Sequence, residues 1–218
     1  MERKLTMNRI ILVGFILVAT TVAAFGQINS LGITGGLNFA TLGGSNAPNV
    51  SIITHYAAGV FIEINVPLLP ISIQPEVLYS VKGSKIGPNA VPLADDILSP
   101  NKVTTSYIDI PILLKYYLPS PVIKPFIFVG LSVGFLVSAK EEATSFGLGT
   151  SQETEIDVKN ETTSTDVGAV VGVGAKIPLV VVDLTLDARY NYGFTSTDKI
   201  NSINIYNRVI AVYLGVAF

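Results

Sequence analysis

Apolar and polar residues alternate with a period of two through much of the chain, the spacing of a strand with one greasy side and one polar side. In "SYIDIPILLKYYLPSP" (106–121), Ser106, Ile108, Ile110, Ile112, Leu114, Tyr116 and Leu118 share one side, while Tyr107, Asp109, Pro111, Leu113, Lys115 and Tyr117 share the other. "VDLTLDARYNY" repeats the pattern, with Val182, Leu184, Leu186, Ala188, Tyr190 and Tyr192 against Asp183, Thr185, Asp187, Arg189 and Asn191. The same periodicity predicts eight strands, at 31–39, 56–66, 71–81, 105–118, 125–137, 167–177, 182–192 and 208–218. Their lengths suit the roughly 9–11 residues that a tilted membrane-crossing strand requires.

The connections fall into two classes in strict alternation. Long loops are expected at 40–55, 82–104, 138–166 and 193–207, and short turns at "PLLP", "PSPVIK" and "PLVV". Like faces meet across the short turns: about "PLLP", Val66 faces Ile71 and Asn65 faces Ser72. These features predict an all-β fold, an eight-stranded up-and-down antiparallel transmembrane β-barrel with short turns at one end and long loops at the other. A soluble ligand-binding barrel is the alternative, but it would carry its charges outside, whereas these fall on the side that a narrow lumen encloses. Aromatic residues on the apolar side cluster near strand ends: Phe39, Tyr56, Tyr79, Phe135, Tyr190 and Tyr192 near the loop end, Tyr116 and Phe218 near the turn end. Such girdles are expected at headgroup level. Pro75, Pro111 and Pro125 fall inside strands and are expected to mark bulges or strand ends.

Composition supports a membrane location. The 218 residues are 49% hydrophobic and 14% charged, against about 25% charged in ordinary soluble domains. Arg3, Lys4 and Arg9 precede or open the apolar run "IILVGFILVATTVAAF", and Ala24 and Gly26 form a small-residue cleavage site before Gln27. Residues 1–26 therefore read as a secretory signal peptide and 27–218 as the barrel domain, with an uncleaved anchor as the alternative. Removing the leader takes the net charge from −2 to −4, which argues against a nucleic-acid partner. Without cysteine there is no disulfide, thiolate metal site or lipidated N-terminal Cys.

Several segments then resemble one family. "GLNFATL" (36–42), "IQPEVLYSVKGSK" (73–85), "YIDIPILLKYYL" (107–118), "KPFIFVGLSVGFLVSAK" (124–140) and "LDARYNYGFT" (186–195) are similar to the PorT-like outer-membrane β-barrel proteins of Gram-negative bacteria. The resemblance implies an eight-stranded barrel in the bacterial outer membrane and, for some members, a link to protein secretion or gliding.

No catalytic constellation stands out, so an enzyme is not expected, nor is any cofactor or metal. His55 is the single histidine and is expected in the first outer loop as a solvated residue. An outer-membrane enzyme acting on lipid or peptide at the outer rim remains the rival class. The inward charged set is Glu63, Glu76, Asp109, Lys115, Lys176, Asp183, Asp187 and Arg189. An eight-stranded barrel has room for little beyond its own side chains, so these charges are expected to pair and plug the lumen, with a narrow ion path as the alternative. Register about "PLVV" places Lys176 across from Asp183, and Arg189 lies two residues from Asp187 on the same face.

The third loop carries Glu141, Glu142, Glu153, Glu155, Asp157, Glu161 and Asp166. It is expected to be a solvated face, with divalent cations or a basic partner as the alternative. A short helical turn is expected at 93–98, and "NET" at Asn160 is a chance match to a glycosylation acceptor. The functional expectation is an interaction, assembly or structural role in the cell envelope, with outer-membrane lipid and other envelope proteins as partners. The oligomeric state is left open.

Overall fold

The computed structural model describes residues 27–43, 50–86, 98–147, 150–159, 162–196 and 206–218. The leader at 1–26, the helical turn (except Leu98) and Asn160 lie outside the described residues. The strands in chain order are β1 Gln27–Gly43, β2 Val50–Ser51, β3 Ile53–Asn65, β4 Ile71–Ile86, β5 Leu98–Tyr117, β6 Lys124–Gly147, β7 Thr150–Asp157, β8 Thr165–Pro178, β9 Asp183–Ser196 and β10 Tyr206–Ala217. Eight of them pair antiparallel in a closed ring: β1 with β3, then β4, β5, β6, β8, β9 and β10, which returns to β1. Ring closure leaves no free edge along the barrel wall.

The sidedness is inverted relative to a soluble protein. Leu31, Ile33, Leu37, Val60, Val77, Leu114, Leu131, Val171, Leu186 and Leu214 are exposed on the outer wall, whereas Ser72, Gln74, Glu63, Glu76, Lys115, Lys176 and Arg189 are buried inside. Each large apolar side chain left in water forgoes about 1.5–3 kcal/mol, so a wall of this kind requires a lipid environment. The interior also holds two small apolar clusters, one around Ala57, Leu78, Val209 and Tyr213 and one around Leu113, Phe126, Phe128 and Val170. Gly172 and Gly174 face the Phe128 and Phe126 rings, where any Cβ would collide with them.

The strands run further than the alternation alone marks. β4 continues to Ile86, β5 starts at Leu98 and β6 extends to Gly147, so much of the expected second and third loops is strand. Beyond the barrel wall, β5, β6 and β7 form a hydrogen-bonded sheet, with Lys102 opposite Glu142 and Lys140 opposite Asp157. His55 likewise lies in β3 rather than in a loop, opposite Asn38 of β1. Prolines do not produce the expected bulges at Pro75 and Pro111. Register is unchanged across both, and pairing between β4 and β5 lapses only between Pro75 and Leu78, where Pro111 has no N–H to give. Pro125 sits at the start of β6, as expected for a strand end. The register shifts occur instead at Ile28/Ser30, Pro100/Lys102, Ser106/Tyr107 and Tyr206/Arg208. The turn about "PLLP" keeps the expected register, Asn65 opposite Ser72.

Candidate functional site

Inward side chains from separate strands meet in the lumen as three ionic layers. In the middle layer, β9 places Arg189 and Asp187 on one side because they are two residues apart. The Arg189 Nε donates to Asp187 Oδ1 at 2.8 Å and its second terminal nitrogen to Oδ2 at 2.9 Å. Its other terminal nitrogen donates to Glu76 Oε2 on β4 at 2.8 Å. Gln74 Nε2 donates to Glu76 Oε1 at 2.6 Å. The guanidinium also lies 4.4 Å from the Tyr213 ring and 5.5 Å from that of Phe128. One planar cation thus engages two carboxylates through its fixed fork, a geometry that lysine cannot reproduce.

The layer toward the turn end is built on Glu63. Lys176 Nζ donates to Glu63 Oε2 at 2.6 Å, and the Tyr117 hydroxyl donates to Oε1 at 2.7 Å. The pairing expected between Lys176 and Asp183 is displaced. Lys176 stands opposite Thr185, and Asp183 opposite Pro178, because β8 runs through Pro178 and the turn tightens to Leu179–Val182. The two-residue shift preserves facing, so Asp183 Oδ2 still lies 3.8 Å from Lys176 Nζ. Asp183 is half-buried, whereas the other seven members of the expected charged set are buried. Lys115 lies over the Phe126 ring at 4.2 Å. Below this layer a basin of about 640 Å³ opens at the turn end, its lining including Glu63, Tyr117, Lys176 and Asp183.

The layer toward the loop end is the one that sequence patterning mostly misses. Lys82 Nζ sits 3.0 Å from Asp109 Oδ2 and 3.3 Å from Asp166 Oδ2, and Asn207 Nδ2 donates to Asp166 Oδ2 at 2.8 Å. The expected strand stops at Val81, one residue short of Lys82, and Asp166 is expected among the loop acids. Both are lumen residues. Extending the alternation of β4 through Ser80 to Lys82 and Ser84, all buried, is the signal that finds the lysine. Asp166 Oδ1 has no hydrogen-bond partner, and beside this cluster a cavity of about 20 Å³ remains, room for about one water.

Outside, the aromatic set points away from the lumen. Tyr56, Tyr79, Phe135, Tyr190, Tyr192, Tyr116 and Phe218 are exposed and Phe39 is half-buried. Tyr56 and Tyr79 pair across β3 and β4 at 6.4 Å, and Tyr190, Tyr192 and Phe194 form a file at 6.4 and 5.7 Å. Phe194 extends this file beyond the residues expected from the sequence. Arg208 joins the same patch, its guanidinium carbon 3.5 Å from the Tyr192 ring centroid.

Residues 25–199 match the family described as outer membrane protein beta-barrel domain. The chain belongs to this family. It is a bacterial outer-membrane protein. Comparison with curated proteins gives no match. Among solved structures, a major outer membrane protein from Thermus thermophilus is 16% identical with a TM-score of 0.52, covering 87% of this chain and 98% of that one. The Neisserial surface protein A is 16% identical with a TM-score of 0.45, covering 86% and 97%. Ail of Yersinia pestis is 10% identical with a TM-score of 0.43, covering 88% and 99%. The Thermus structure supports the fold.

In an outer-membrane barrel the short turns face the periplasm and the longer loops face outside, so the Lys82 layer lies toward the cell exterior and the Glu63 layer toward the periplasm. His55, on the lumen side near the outer rim, is half-buried and its Nε2 is buried without a hydrogen-bond partner. Among the described residues, no acid or hydroxyl bonds to that nitrogen to orient the ring as a base. The acids of the third loop are dispersed. Glu142 pairs with Lys102 at 2.7 Å, Asp157 accepts from the Lys159 N–H at 2.9 Å, and Asp166 belongs to the lumen. Among the described residues no group of three metal-ligating side chains comes together. Glu161 lies outside the described residues, and the side chains of Glu153 and Glu155 are not described.

Proposed function

We propose that this protein is a closed barrel with an interaction or assembly role in the cell envelope, in which the wall anchors the fold and the outer loops meet partners. One observation carries the reading: three successive layers of paired ions occupy the lumen, with a cavity of about 20 Å³ between the outer and middle ones. A barrel so filled offers no path for solutes, and its capacity for contact lies at the rims, where long connections concentrate binding. The PorT-like segments and a link to secretion are the finer form of this proposal. They rest on the resemblance of "YIDIPILLKYYL" and its companion stretches. The aromatic rims are proposed as headgroup-level anchors.

Planar-bilayer recording of the purified protein tests the closed lumen, with no regular conductance steps expected and large, regular steps refuting it. Crosslinking in cells from the second and third outer loops tests the interaction role. Capture of a defined envelope complex is the expected result. Turnover of a lipid or peptide that disappears in His55→Ala, with no complex captured, would replace this reading with an enzyme.

A further inference from the structure

The periplasmic turns have unusual chemistry. Turns are ordinarily built from Gly, Pro, Asn, Asp and Ser, yet here the exposed residues include, beside prolines and Ser120, Leu68 and Leu69 in the first, Val122 and Ile123 in the second, and Leu179, Val180 and Val181 in the third. Leu68 also adopts a φ of 67°, a left-handed conformation that is costly for a bulky side chain. Three separate turns expose apolar tips, and their arrangement indicates what covers them.

In the ring order the β3–β4, β5–β6 and β8–β9 turns alternate with the outer connections, and the junction of β10 with β1 takes the fourth place. At that fourth place Phe218 is exposed. The apolar groups are therefore distributed around the whole circumference. A protein docking from one side would reach one or two of these places, whereas lipid surrounds all four. Continuity gives a second argument. The lipid-facing wall residues Ile62, Leu114, Leu118, Ile127 and Ile177 are exposed just above the tips, and the stretches 66–71, 118–123 and 177–182 contain no charged residue.

Height gives a third. Leu69 is ten residues from Tyr79, Val181 nine from Tyr190 and Ile123 twelve from Phe135. At roughly 2.6 Å of height per tilted residue the tips lie roughly 23–31 Å below the outer aromatics, against an apolar band about 25 Å tall. They reach the lower margin of the bilayer and stop there.

We propose that the three periplasmic turns and Phe218 form a four-point anchor seated at the headgroup–acyl boundary of the inner phospholipid leaflet. They serve there as the lower girdle that Tyr116 alone does not complete. The inference goes beyond the proposed envelope role and does not depend on it. It leaves the outer rim as the end free for protein contact.

The chain contains no cysteine, so Leu68→Cys, Ile123→Cys and Val180→Cys each give one labelling position. With a bimane label and the protein refolded into phosphatidylethanolamine–phosphatidylglycerol vesicles, nitroxide on the lipid headgroup or upper acyl chain is expected to quench all three several-fold more than an Asp157→Cys label. Aqueous iodide is expected to do the reverse. Iodide quenching at the three turns equal to that at Asp157, with no effect of lipid nitroxide, overturns the proposal. Circular dichroism of each labelled variant confirms that the barrel has formed.

Discussion

The middle and outer layers of the lumen are each built on two carboxylates hydrogen-bonded to one cation, and differ in how completely these satisfy one another. In the middle layer the Arg189 fork reaches Asp187 and Glu76 at 2.8–2.9 Å, and Gln74 adds a donor to Glu76. In the outer layer the Lys82 ammonium is divided between Asp109 and Asp166 at 3.0–3.3 Å, and Asp166 Oδ1 has no partner. A guanidinium offers five donors in a plane, matched to carboxylate edges, whereas an ammonium is a point charge whose donors must be shared. The difference indicates that the middle layer is the more completely hydrogen-bonded of the two, while the cavity of about 20 Å³ is lined by both acids of the outer layer, Asp109 and Asp166, together with Lys82 and Arg189.

The largest expected effect comes from Arg189→Met. It leaves Glu76 and Asp187 buried without the cation that hydrogen-bonds both, and should cost about 3–5 kcal/mol of unfolding free energy, read from urea unfolding in lipid vesicles followed by far-ultraviolet circular dichroism. Arg189→Lys retains the charge and loses the fork, and should recover only part of that loss. Full recovery by lysine would erase the distinction between the layers.

Lys82→Met should cost less, about 1–3 kcal/mol, because a water in the adjacent cavity can solvate the stranded acids. If this variant proves as damaging as Arg189→Met in the same assay, the outer layer is as dry and as tightly coupled as the middle one. The smallest effect is expected from Asp166→Asn, which removes a charge from the layer whose carboxylates outnumber its cation. Stability should change by less than about 1 kcal/mol, and toward greater stability. A loss beyond that would mean that Asp166 Oδ1 is satisfied by a bound group.

The middle layer is legible in the sequence and the outer one only through Asp109, for a physical reason. Arg189 and Asp187 lie in the middle of a strand, where alternation is unambiguous. Lys82 lies just past the expected end of its strand and is found only by extending the alternation of β4, and Asp166 is the second residue of β8, where polar residues are as common in loops as in a lumen and local pattern does not assign it. His55 escapes assignment for the same reason. Lys176 is expected on the correct face and does lie 3.8 Å from Asp183, but Thr185 stands opposite it and Glu63 is its nearer carboxylate, since a turn that tightens by two residues keeps every side chain on its face while changing what stands opposite.

By itself the sequence determined the architecture: the eight strands of the barrel, the apolar outer and charged inner faces, and the alternation of short turns with long connections. These follow from a period of two repeated along the chain, which is local information. The tertiary structure alone decided who pairs with whom. Arg189 meets Glu76 and Lys176 meets Glu63 across 113 residues, and Lys82 meets Asp166 across 84. Parity places a side chain inside the barrel, but ring closure and the stagger between strands set its height, and only residues at one height can share a proton donor.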